Sequence, residues 1–600
     1  MTMSGCNRRE FLAKSSVVGA AVGAAAIGPQ VSSPVLAESS SISGGESEEF
    51  ETFGQPGSPS RNAYRALAER ERTHQLRMRE RQQQQGNATG NSSSGSGSDS
   101  EVSGGATPNF SNTVNAVEDL DWDPNGNSAI DGALSGISDG TLVVLPAGNY
   151  RLDGQAQVSG NTIGLAGEGY NEASGAPQPG GGAATIFAGG EEARLNFDAE
   201  SGLMANLVLD QSQSKGGISF VVRSQGFVTA RDIRVNGVLT NTGSSYNEGT
   251  NNPQCALIAE SEEATARVER FVSRGTGLPG DKRQGGVPAI WVGDGNKGTA
   301  QIVDCEVQAA TDNGIYGSRT SGDTQIVGGT YFNNEVSQIR FCGKGSFADG
   351  VTLGVDADNY SGPSGSFGGF NEKIGMQVVK VEQPSHISKP GGAVLRNAEI
   401  QARSVNKMGA VIYVRGHGGA LKMDNCRVTN NTDQSSLLAS EPGSSYDPAS
   451  PPPHNITITN SLFQGTQSSD IVKVEGRPQS TVTNTCFQVA GASQSSLSGI
   501  TVGEGVGFGQ QCQAGLSDPS KVGSGGNVSS LPAFNASAIG SNASRSAPAD
   551  RQQKGHMKNI FDAAALVVLV IVAFLIAVPV GVVGLGGLAS LALNYILDDD

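Results

Sequence analysis

Four residues in one repeating frame carry side chains with chemistry to offer. Trp291, Tyr316 and Arg340 are the middle residues of Ile290-Trp291-Val292, Ile315-Tyr316-Gly317 and Ile339-Arg340-Phe341, and the triplets start 25 and then 24 residues apart. Tyr413, in Ile412-Tyr413-Val414, fits the same frame 73 residues later, about three further repeats. Aromatic faces and a guanidinium in file stack on sugar rings and hold carboxylates. The plainer reading is that these aromatics cap turns or pack under loops.

Acidic residues lie close by in sequence: Asp294, Asp304, Asp312 and Asp323. Two carboxylates flanking a glycosidic bond would serve its hydrolysis, and the same oxygens are calcium ligands. Asp294 and Asp323 are the catalytic candidates. Arg319, Arg340 or Lys344 would neutralise a uronate or act as a base. Asp304 fits a structural bend better than a catalyst. His417, in Gly416-His417-Gly418, is a further groove candidate. No Cys-x-x-Cys or histidine cluster points to zinc.

These residues need a scaffold that repeats. A six-residue pattern recurs: apolar, any, Asn or Asp, any, any, apolar. It appears around Asn206, Asp304, Asn397, Asn425, Asn460 and Asn484, with a weaker copy at Asp232. The triplets precede it by about eleven residues. Short strands recurring every 24 residues or so predict an all-β solenoid, a right-handed parallel β-helix whose turns stack about 4.8 Å apart and share one core. Asn and Asp tolerate left-handed backbone, and a stacked amide can bond the turns above and below it. A β-sandwich would give no reason for the fixed period. Long insertions at 238–254, 275–287, 356–392 and 432–454 are expected at one corner, walling one side.

The opening of this region adds a resemblance. Asp121-Trp122-Asp123-Pro124-Asn125-Gly126-Asn127 leads through residues 129–137 to Gly140-Thr141-Leu142-Val143-Val144-Leu145-Pro146-Ala147-Gly148-Asn149-Tyr150. This resembles the start of the pectate-lyase-like β-helix superfamily, where a short capping helix is followed by a strand ending Leu-Pro-Ala-Gly-x-Tyr. The segment Ile163-Gly164-Leu165-Ala166-Gly167-Glu168-Gly169 looks like its next rung. The resemblance implies the fold over 108–515. For function it implies only a range, from lyases, hydrolases and epimerases to tailspikes and non-enzymatic surface proteins. Gly416-His417-Gly418 and Asn431-Thr432-Asp433 resemble pieces of polygalacturonase signatures, but in reverse order and with no Asp-Asp pair between them. The pectate-lyase Arg-x-Pro-x-x-Arg pattern is missing. No catalytic role is carried over.

The chain has 600 residues, 84 of them glycine, without the three-residue period of collagen, and only 5% are aromatic, which suits a narrow solenoid interior. A net charge of -16 argues against nucleic acid as a partner. Asn7-Arg8-Arg9-Glu10-Phe11-Leu12-Ala13-Lys14 resembles a twin-arginine export motif, with cleavage expected after Ala37. Residues 38–107 read as a polar linker with a charged helix at 61–85, and 516–558 as a second stalk. Residues 559–597 are apolar enough for a membrane anchor, as one span or a hairpin. Cys6 leaves with the signal. Cys305 and Cys426 share a column about five turns apart, too far for a disulfide. Cys486 and Cys512 are placed to meet at the C-terminal end, and the remaining thiols are expected as buried fillers.

The sequence therefore points to an exported protein on the extracellular face of the membrane. Its β-helix would bind polysaccharide, with cleavage as a lyase or hydrolase left open and calcium as the candidate cofactor. The alternative is a non-catalytic adhesin or envelope component. A virus-encoded tailspike fits poorly with an export signal and anchor.

Overall fold

The computed structural model describes residues 108–523, apart from 169–182, 191–192, 213–216, 239–252, 277–286, 361, 363–376, 384–386, 406–407, 444–448, 468–469 and 513–514. The export motif, the 38–107 linker with its charged helix, the apolar 559–597 segment and most of the 516–558 stalk lie outside the described residues. Among the described residues, no helix is long and apolar enough to cross a membrane.

The described chain is a right-handed parallel β-helix. Among the described residues, every strand pairing is parallel and joins neighbouring turns, up to the last turn at Leu497–Ser498, Thr501–Val502 and Gly507–Phe508. Each turn has three faces. Face A carries the triplet strands, such as Ile290–Val292, Ile315–Gly317 and Ser337–Phe341. Face B follows, as in Thr299–Val303 and Asp323–Val327. A sharp bend then leads to face C, as in Glu306–Gln308 and Thr330–Phe332. Alternation along each strand sends one set of side chains inward. Ile290, Ile315, Ile339, Val379, Ile412, Leu437 and Val472 are buried in one continuous core. Phe463, Phe487 and Phe508 stack near the C-terminal end at 5.1 and 5.6 Å.

The bend is where the Asn/Asp pattern falls. Asn206, Asp232, Asp304, Asn397, Asn425, Asn460 and Asn484 all have positive φ, between 46° and 55°, and Gly328 and Gly350 fill the same place at 64°. Arg270, at 50°, is the exception, and both its Nε and an Nη bind the Asp232 carboxylate of the preceding turn at 2.6 and 2.7 Å. The amides bond along the ladder, Asn425 to Asn397 at 2.7 Å and Asn460 to Asp424 at 2.9 Å. Asn460→Val places a β-branched residue in left-handed backbone and removes that bond. It is expected to cost about 2–3 kcal/mol, against about 1 kcal/mol for Asn460→Gly, which keeps the conformation open. Calorimetric unfolding of the two variants checks the order.

At the N-terminal end, Asp131–Ser135 is the expected short helix, with Leu134 buried and the Asp131 carboxylate accepting the Asp153 and Gly154 amides at 3.0 and 2.7 Å. The strand Asn112–Asn115 precedes it and pairs with Thr141–Leu145, so the first turn begins before the helix.

Three readings of the repeat need correction. Only one strand, Gln377–Val381, lies between Ser337–Phe341 and Ile412–Val414 on face A, so Tyr413 is two turns beyond Arg340, not three. Cys305 and Cys426 are four turns apart, not five, through Gly329, Val351 and Ala398; both remain buried free thiols. The insertions do not share one corner. Those at 238–254, 275–287 and 357–376 precede face A strands, whereas 382–391 and 440–455 follow them. The last two were read as parts of longer insertions that in fact contain face A strands. Face A is therefore flanked by insertions on both sides.

Cys486 and Cys512 form a disulfide. The chain then turns back: the Asp518 amide donates to Asn425 Oδ1 at 3.0 Å and the Gly523 amide to the Asn397 carbonyl at 2.9 Å. Residues 516–523, expected as the start of a stalk, lie along the bend ladder instead.

Candidate functional site on face A

Strand register puts the triplet residues in one outward column: Trp291 opposite Tyr316, Tyr316 opposite Arg340, Arg340 opposite Lys380, Lys380 opposite Tyr413. Four turn spacings separate Trp291 from Tyr413, about 19 Å. Trp291, Tyr316 and Tyr413 are half-buried. The Arg340 guanidinium lies over the Tyr316 ring, 4.2 Å from its centre, and Arg319 approaches the same ring at 5.5 Å. The Tyr413 hydroxyl accepts from Ser440 Oγ at 3.3 Å.

The next outward position on the Lys380 turn is Glu382, which sequence reasoning missed. Glu382 is 4% exposed, and its carboxylate pairs with Arg340, with Lys380 Nζ at 3.1 Å and with Arg415 Nη1 at 3.7 Å. Burial alone would push the Glu382 carboxyl up; the Arg340 and Lys380 charges overcome it and hold the group at about 2. Burial pushes the Lys380 ammonium below its usual value, against the pull of Glu382. Arg415 is the most open of the three cations, with its side chain 38% exposed. Asp312 is the next acidic group acting on Arg340 and Tyr316. Among the described residues, Arg340, Lys380 and Arg415 thus converge on the Glu382 carboxylate, on a chain that is acidic overall. The signal for this site was in the sequence: Val379-Lys380-Val381 is a fifth triplet of the same apolar-x-apolar kind.

The depressed Glu382 group makes a pH prediction. Its folded value lies below that of an unfolded glutamate, so its contribution is complete above about pH 4.5. It is lost as pH falls from there toward 2, about 3 kcal/mol in all. Glu382→Gln should be less stable than the parent at neutral pH and should lack this part of the acid loss. Urea unfolding from pH 7 to pH 3 measures both.

The other sequence candidates are scattered around the turn. Asp294 is exposed in the turn after Ile290–Val292. Asp304 sits at the bend, with φ 48°. Asp312 lies before Ile315–Gly317 and accepts the Asn313 amide at 2.8 Å. Asp323 heads a face B strand, where it accepts the Gly345 amide at 3.2 Å and burial raises its carboxyl. Arg319 and Lys344 are exposed. His417 is buried, 6% exposed, in the turn after Ile412–Val414, and does not stand on the outward column. The structure brings together Trp291, Tyr316, Arg340 and Tyr413 from the sequence reading, with Arg319 at their edge. It places Asp294 and Asp323 on different segments of the turn. Among the described residues, no group of three or more His, Cys, Asp or Glu side chains is placed to hold a metal ion.

Behind Arg415 lies Arg477, 3% exposed. Its guanidinium donates to four backbone carbonyls: Arg415 at 2.7 Å, Gly419 at 2.6 Å, Ser440 at 2.7 Å and His454 at 2.9 Å. Burial pushes the group down to about 10. It fixes the backbone of Arg415 and both ends of the 440–455 insertion.

No family model and no curated protein matches the chain. Solved structures with a similar fold include the Agl-KA catalytic domain, at 12% identity over 67% of this chain and 69% of that one, with a TM-score of 0.41. The Azotobacter vinelandii mannuronan C-5 epimerase AlgE6 A-module is similar at 13% identity over 66% of this chain and 98% of that one, with a TM-score of 0.33. The Geobacillus virus E2 ORF18 structure is similar at 12% identity over 63% of this chain, which spans 62% of its length, with a TM-score of 0.34. At these identities the likeness concerns the fold.

Proposed function

We propose that this is an exported, surface-tethered β-helix protein that binds an anionic polysaccharide along face A. The observation that carries the proposal is the in-register file Trp291, Tyr316, Arg340, Lys380 and Tyr413, with Arg340, Lys380 and Arg415 gathered at its centre. Half-buried aromatic rings at both ends suit sugar rings. Arg415, with the exposed edges of Arg340 and Lys380, suits a carboxylate or sulfate group. Export and tethering rest on the terminal sequences alone.

Binding is favoured over hydrolysis by paired carboxylates because Asp294, Asp304, Asp312 and Asp323 occupy four different places around the turn. The test is retention of the purified full chain on immobilised polysaccharides, charged and neutral, with and without calcium, while reducing ends and unsaturated products are followed. Retention on charged polymers alone is the expected result. Trp291→Ala and Tyr316→Ala should each weaken it by about 1 kcal/mol, or fivefold. Retention unchanged in both variants, or equal on neutral polymers, would overturn the reading. Product release would make the same face catalytic.

A further inference from the structure

The C-terminal segment reverses direction at a defined place. Cys512 is bonded to Cys486. From there the chain passes Asp518, whose carbonyl accepts from Asn425 Nδ2 at 2.8 Å while its amide donates to Asn425 Oδ1 at 3.0 Å. It reaches Gly523, whose amide donates to the Asn397 carbonyl at 2.9 Å and whose carbonyl accepts from Thr352 Oγ1 at 3.4 Å. The contacts step backwards from the Cys486 turn to the Asn425 turn and then to that of Asn397. The segment follows the bend between faces B and C, and in a three-faced solenoid that edge lies opposite face A.

We propose that residues 515–523 are a strap that takes up tension on the chain. It carries the exit of the chain to the edge opposite the candidate binding face, so that a pull on the tail acts on the interior turns rather than on the last one. The last turn, with strands Leu497–Ser498, Thr501–Val502 and Gly507–Phe508, lies inside the loop closed by the 486–512 disulfide. Tension on the tail meets the Asn397 and Asn425 bonds first. Once these yield, it passes through the disulfide into the Cys486 strand and leaves residues 487–511 slack. Without the disulfide, the last turn is the next part to peel, and it is held by short two-residue strands. The inference does not depend on what face A binds.

The test is single-molecule pulling of the full chain by its two ends. In the oxidised protein the strap should release as a separate step of about 4 nm, residues 513–523 at about 3.6 Å each. The next lengthening from this end should need the solenoid itself to open. Cys512→Ser should add a further release of about 9 nm, residues 487–512, at similar force. Asn425→Gly keeps the positive φ open but removes both bonds to Asp518, and should lower the force of the first step without changing its length. No separate 4 nm step in the oxidised protein, or equal released lengths in the parent and Cys512→Ser, would overturn the proposal.

Discussion

Arg477→Met is expected to be the most destabilising single change in the body, costing about 4–5 kcal/mol. The reason is the number of groups it strands. Methionine fills much of the space of the arginine stem but donates nothing, so the carbonyls of Arg415, Gly419, Ser440 and His454 all lose a charged donor in a buried setting. Arg477→Lys should recover only part of the loss, because one ammonium cannot span acceptors arranged for a planar fork. Calorimetry measures the size of the effect. Limited proteolysis locates it: early cleavage in 440–455 is expected, since both ends of that insertion hang on this residue. Cleavage spread evenly over the solenoid would mean that the residue acts on the whole fold and not on this corner.

Arg340→Ala is expected to show the largest effect on binding, about 2 kcal/mol or roughly thirtyfold weaker retention on a charged polymer. Arg340 does two things at once. It lies over the Tyr316 ring and it neutralises Glu382. Its removal leaves a buried carboxylate with Lys380 and the more distant Arg415, so a stability loss of about 2–3 kcal/mol should accompany the binding loss. Arg340→Lys separates the two roles: charge is kept and the stacked plane is lost. The affinity of the parent should fall with salt, and that of Arg340→Ala should fall less steeply. A parallel fall in both would mean that Arg340 contributes packing and no charge to the bound polymer.

Why some of this was readable from sequence and some was not follows from the physics of each group. The bend ladder was legible because left-handed backbone narrows the choice to Asn, Asp or Gly, and Asn206, Asp304, Asn397, Asn425, Asn460 and Asn484 each stand between apolar residues at fixed offsets. The outward file was legible for the same reason of period. It failed where the period was interrupted. Gln377–Val381 lies within the stretch read as one insertion from 356 to 392, so Lys380 and Glu382 went unnoticed and Tyr413 was placed one turn too far. Asp294 and Asp323 were singled out for nearness in sequence, and the strand order puts one in the turn after a face A strand and the other at the head of a face B strand. Arg477 left no trace at all, because its partners are backbone carbonyls and any residue type can supply those.

The measurement that bears most directly on face A is hydrogen exchange of the full chain with and without a saturating charged polysaccharide that it retains. Added protection is expected in 290–292, 315–317, 339–341, 379–382 and 412–415, with none in the strap at 515–523 on the opposite edge. Protection confined to faces B or C, with the face A strands unchanged under saturation, would contradict the assignment of the site.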